Sequence, residues 1–199
     1  AGAASGSLLG AVASCCYCLA YAHCARRFGW AASLCIALAV FFASAFLLTK
    51  APYSLPVASL LGVGVPVVCL LLLPDVPGSV DMRRVQPPWR LPVQMLCGGL
   101  SVLALTELAG VVGEQWSGIL LTFPIISSIL TPFAHLAFGA RAAVLTIRGL
   151  LVGFIGTSCF IIVIAAGLER FGITAGYCLA ALGALLTSFL IMFQLNKKR

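Results

Sequence analysis

Residues 142–166 read AAVLTIRGLLVGFIGTSCFIIVIAA, an apolar run broken by one charge, Arg148. At 1.5 Å of rise per residue, a helix of this length crosses the ~30 Å hydrocarbon core of a bilayer. After Gly167 and Leu168 come Glu169-Arg170-Phe171-Gly172 and a second apolar run, 173–194. Two spans joined by a short charged turn make a membrane hairpin. Strands are excluded because a barrel needs alternating segments of about ten residues, and these runs are continuous.

Working outward from one charge to the next, five more apolar stretches appear at 5–24, 30–49, 54–74, 91–112 and 116–138. The composition agrees: 62% of the 199 residues are hydrophobic and 9% are charged. Soluble domains carry about 25% charged residues, and disordered chains lack this much apolar surface. The expected fold class is therefore all-α, a polytopic transmembrane helix bundle of about seven spans. The first stretch lacks the basic segment of a signal peptide and is followed by six more spans. No Met stands at position 1, so we expect residues to precede Ala1 in the natural protein.

Assigned alternately to two sides, the connecting segments put Arg26, Arg27, Arg83, Arg84, Arg90, Arg141, Lys197, Lys198 and Arg199 together, with Arg148 just inside that face. Lys50 and Arg170 fall on the other. The positive-inside rule converts this bias into an orientation: a multi-pass protein of the cell inner (plasma) membrane, C-terminus cytoplasmic and the N-terminus of this chain outside. The net charge of +7 then follows from topology, and no nucleic-acid partner is called for. Trp30, Trp89 and Trp116 stand at span ends, where indoles favour the headgroup layer. Residues 74–90, PDVPGSVDMRRVQPPWR, read as a cytoplasmic loop.

Residues 6–48 laid on 149–191 at an offset of 143 give 13 identities in 43 positions, including Gly6 with Gly149, Cys16 with Cys159 and Arg27-Phe28-Gly29 with Arg170-Phe171-Gly172. The first and second spans thus correspond to the sixth and seventh. An odd number of crossings separates the partners, so the copies traverse the membrane in opposite senses, an inverted repeat of the kind secondary transporters use. Three regions follow: 1–49, an incomplete first repeat of two helices; 50–90, a linker helix and loop; and 91–199, a four-helix second repeat. The missing pair has been lost, lies upstream of Ala1, or is supplied by a homo-oligomer copy or a partner subunit.

The stretch from Trp116, WSGILLTFPIISSILTPFAHLAFGARAAVLTIRGLLVGFIGTSCF, with the helix beginning ERFGITAGYC, resembles the GlpM family of small integral inner-membrane proteins. The residues that carry the resemblance are Gly118, Phe123, Pro124, His135, Gly139 and Arg148, and it covers residues 95–194. It implies an inner-membrane protein loosely linked to polyol metabolism and exopolysaccharide production, with no defined reaction.

Ionisable groups inside spans are functional-site candidates by default. They are Glu107, His135 and Arg148; a Glu107–Arg148 pair would lower the cost of both charges. Pro124, Ser128, Thr131 and His135 recur at helical spacing, one polar stripe on an apolar helix. Pro124, Pro132 and Pro66 each free a backbone carbonyl within a span. Together Glu107, Pro124, Ser128, Thr131, His135 and Arg148 make a candidate substrate or ion pathway. Gly149, Gly153, Gly156, Gly176 and Gly183 form small-residue ridges suited to helix packing. Nine cysteines are present, but none has zinc spacing; we expect no metal and no cofactor. No catalytic motif is found, and an enzyme is not expected. Two functions remain: a transporter of a small solute or ion, or a non-catalytic membrane subunit that anchors a larger complex.

Overall fold

In the computed structural model, residues 2–50, 54–76, 87–111 and 123–197 are described. Arg83, Arg84, Trp116, Gly118, Lys198 and Arg199 lie outside them, as does the first part of the fifth expected span. The described residues form helices α1 (Gly2–Cys24), α2 (Trp30–Thr49), α3 (Leu55–Leu71), α4 (Arg90–Val111) and α5 (Ile125–Phe138). The remaining helical stretch, Ala140–Lys197, is divided by non-helical backbone at Gly172 into α6 (140–171) and α7 (173–197). No strand occurs among these residues.

Among the described residues, five segments are long and apolar enough to cross a membrane: Ser7–Cys24, Trp30–Leu48, Arg90–Leu108, Ala140–Ala166 and Gly172–Gln194. The other two apolar helices are shorter. The 17 residues of α3 and the 14 of α5 reach about 26 Å and about 21 Å, less than the ~30 Å of hydrocarbon.

The shortness of α5 corrects one expectation. A helix continuous through 116–138 is not formed, because Phe123 and Pro124 are non-helical and α5 starts after them. Proline has no N–H to continue a helix and disfavours helical backbone in the residue before it. Pro124 is therefore a helix start and not a mid-helix kink. Pro66 and Pro132 do sit inside α3 and α5.

Helix α1 is the most enclosed element. Ala13, Cys15, Tyr17, Cys18, Tyr21 and Ala22 are fully buried, in one cluster with Ala37 and Phe41 of α2, Cys69 of α3 and Ala143, Val144, Ile147 and Leu151 of α6. Its neighbours' directions follow from their contacts. Gly62 lies against Leu8, and the Cys69 thiol donates to the Cys15 carbonyl at 3.9 Å, so α3 runs parallel to α1. The start of α5 shares a cleft with Ser14 and its end meets Tyr21, which makes α5 parallel as well. Helix α6 opposes them: Arg141 near its start donates to Val76 beyond the end of α3, while Ser158 reaches Gly62 near the start of α3.

That last contact explains how a proline survives inside α3. In an α-helix the N–H of residue 66 would donate to the carbonyl of residue 62, and Pro66 has none to give. The Ser158 hydroxyl donates to the Gly62 carbonyl instead, at 2.7 Å and fully buried. Gly62 also lacks the Cβ that would strike Leu8, so three helices converge at one point.

The two hairpins, α1/α2 and α6/α7, make matching contacts. The Cys16 thiol lies beside the Ser44 side chain, and the Cys159 thiol lies 3.6 Å from the Thr187 hydroxyl. Val40 lines a shallow cleft with Cys16 and Ala20, just as Gly183 sits against Cys159 and Val163. Each residue of the second set stands 143 positions after its counterpart.

Candidate functional site

The site is built where α5 begins. Phe123 meets Phe41 edge-on with ring centres 5.6 Å apart and lies 6.0 Å from Phe42, which pins the start of α5 to α2. Buried Pro124 then caps the helix. Beside it opens a cleft of about 480 Å³ between α1, α5 and α6, lined by Ser14, Pro124, Ser127, Gly149, Gly153 and Thr157 among others. Ser14 is central in α1 and Gly153 is central in Ala140–Ala166. The N-terminus of α5, the positive end of its dipole, therefore lies at mid-depth.

Along α5 the inward face carries Pro124, Ser127, Thr131 and, half-buried, His135. Ser127 sits against the Cys18 thiol. Ser128 is only partly buried and donates to the Ile125 carbonyl of its own helix at 2.9 Å. The polar stripe thus follows i, i+3, i+7 and i+11, with Ser127 where the sequence reading has Ser128. Both spacings are helical, and only the position of α1 selects between them.

His135 Nδ1 is 3.3 Å from the Tyr21 hydroxyl, with the rings edge to face at 6.0 Å. The same hydroxyl lies 3.4 Å from the Trp30 carbonyl. Tyr17, one turn back on α1, has its ring centre 6.1 Å from that of Tyr21. Sequence reasoning missed both tyrosines. Their i, i+4 spacing was the available signal, in a run that draws attention to its cysteines.

Arg148 is half-buried on the inward stripe of α6 that also carries Val144, Leu151 and Ile155. Its Nε is buried without a hydrogen-bond partner. Glu107 is exposed on α4, and among the described residues no ion pair joins it to Arg148. Helix α4 packs against α5, where Arg90 donates to the Phe133 carbonyl at 3.1 Å and stacks over Phe138; Glu107 stands toward the opposite end of α4.

The glycines divide into two groups. Gly156 closely approaches Ser188 and the Ala184 carbonyl, Gly183 touches Cys159, and Gly176 is buried. Gly149 and Gly153 have open space where a side chain would project, and they line the cleft; these two shape a surface and do not join helices. All nine cysteines are free thiols. Cys15 and Cys18 are buried inward, and among the described residues no group of three or more His, Cys, Asp or Glu side chains is placed to hold a metal ion.

The hydroxyls of Ser14, Ser127 and Thr157 therefore border a mid-depth cleft lined by no described carboxylate, while Arg148 stands beside Gly149 on α6 and His135 lies two turns along α5 from Ser127. Such a set can hold a polar solute by hydrogen bonds. Compared with family models, with curated proteins and with solved structures, the chain matches none. The functional reading rests on the geometry of the chain itself.

Proposed function

We propose that this protein is a transporter of a small solute or ion, with its pathway at the α1/α5/α6 junction. The observation that carries the reading is the start of α5 at Pro124, at mid-depth and beside the cleft. Transporters repeatedly build their substrate sites from broken helices near the midplane, where a half-helix terminus replaces the solvation that a polar solute loses. The inverted repeat belongs to the same proposal. It is supported by the antiparallel run of α1 and α6 and by the pairs Cys16–Ser44 and Cys159–Thr187. With it go the inner-membrane orientation with a cytoplasmic C-terminus, argued from the arginine and lysine asymmetry, and the GlpM likeness of residues 95–194.

Reconstitution tests the reading. The purified chain in liposomes should move a solute or ion down an imposed gradient, and Gly153→Trp, which fills the open space at the cleft, should reduce the rate at least tenfold while the protein stays folded and monodisperse. A chain that is inert alone and co-purifies with a stoichiometric membrane partner would establish the anchoring-subunit role instead.

A further inference from the structure

We propose that Tyr17, Thr131 and Arg148 form a binding layer for an oxyanion, the carboxylate or phosphate group of a small solute. This rests on the transporter reading, whose solute it assigns to a chemical class.

Tyr17 and Thr131 are both fully buried, and neither the Tyr17 hydroxyl nor Thr131 Oγ1 has a hydrogen-bond partner. A buried polar group left unpaired forfeits the solvation it had in water, and native folds leave few of them. These two are not independent accidents. Tyr21 and His135 touch at 3.3 Å across parallel α1 and α5, and Tyr17 and Thr131 each stand one turn before them, so the two orphan hydroxyls belong to one level of the same interface. Arg148 joins that level from α6. The α5/α6 connection is the tight break at Gly139, and Thr131 and Arg148 stand at nearly equal separations before and after it. Ile147, its neighbour, packs in one cluster with Tyr17.

The chemistry of the set favours an acceptor-rich ligand. A guanidinium only donates, and two hydroxyls can each donate once. With no described carboxylate to neutralise Arg148, a bound anion supplies the missing charge, and its oxygens satisfy several donors at once. The cleft is adjacent: Ser14, Ser127 and Gly149, which line it, lie within one turn of Tyr17, Thr131 and Arg148 respectively. A cation would meet the guanidinium's repulsion, and a purely apolar ligand would leave all three groups unpaired.

The test is equilibrium binding, which does not depend on flux. Purified protein in nanodiscs of phosphatidylcholine is titrated with sodium succinate and with sodium phosphate, using sodium chloride at matched ionic strength as the control. At least one oxyanion should bind saturably and raise the unfolding temperature. Arg148→Gln should abolish binding, and Tyr17→Phe and Thr131→Val, which preserve shape, should each weaken it about tenfold. Repeating the titration with phosphatidylglycerol in the discs separates the sources: unchanged affinity assigns the layer to a free solute, while competition that disappears in the same three variants assigns it to a lipid phosphate, and either keeps the layer. No saturable binding, or affinity unchanged in Tyr17→Phe and Thr131→Val with only a gain in stability, overturns it. Anion binding without flux would remove the transporter reading and leave the layer standing. Flux of a cation or neutral solute without anion binding would do the reverse.

Discussion

At the scale of single residues, the Pro66, Gly62 and Ser158 arrangement makes a quantitative claim. Ser158→Ala leaves the Gly62 carbonyl with neither its helical donor nor its substitute, and should cost about 1–3 kcal/mol, read as a lowered midpoint in sodium dodecyl sulfate unfolding. In a Pro66→Ala background the helical N–H returns, so the same substitution should cost clearly less; equal costs in the double-mutant cycle would refute the coupling. Gly139 and Gly172 make a second claim. Their backbones, at φ 82° with ψ −178° and φ 73° with ψ 175°, occupy a region that only glycine enters freely. Gly139→Ala and Gly172→Ala should each destabilise by about 1–3 kcal/mol although nothing crowds either site, and thermal unfolding in detergent measures it. Much of this was legible in advance as residue types but not as partnerships. Pro66 announces a freed carbonyl, yet the hydroxyl that takes it lies 96 positions away, and local spacing carries no information over that distance. Ser127 and Ser128 are likewise indistinguishable until α1 is in place.

At the scale of elements, apolar runs were read well and their interruptions less so. Hydropathy follows side chains, and the run through 116–138 stays apolar across Pro124, whereas the helix obeys backbone chemistry and starts only after it. The same distinction separates the glycines. Pattern alone treats Gly149, Gly153 and Gly156 as one ridge, but only Gly156 is pressed against α7. Gly156→Val should therefore force α6 and α7 apart and destabilise the hairpin by about 1–3 kcal/mol, while Gly149→Ala, with open space before it and alanine the better helix former, should not lower the unfolding midpoint. A comparable loss from both would mean that the packing of α6 has been misassigned.

At the scale of the whole molecule, the antiparallel run of α1 and α6 puts the 25–29 turn and the Gly172 break at opposite ends of the bundle. Exposed Arg27 and Ile173 offer the readout: in sealed vesicles, Arg27→Cys and Ile173→Cys should react with an impermeant maleimide from opposite sides. Labelling from one side would sink the inverted repeat and the orientation with it. The apolar helices were readable because charge punctuates the apolar runs; the arrangement of α1, α3 and α5 around α6 was not, because residues facing lipid and residues facing protein are equally apolar. The tie between Ser158 and Gly62 also bears on biogenesis. At about 5–20 residues per second, the 96 residues separating them take roughly 5–20 s to make, and throughout that interval α3 carries an unpaired carbonyl. A nascent chain arrested before α6 emerges should thus hold α3 only loosely in the bilayer, leaving the newborn protein dependent on the insertion machinery until its sixth helix arrives.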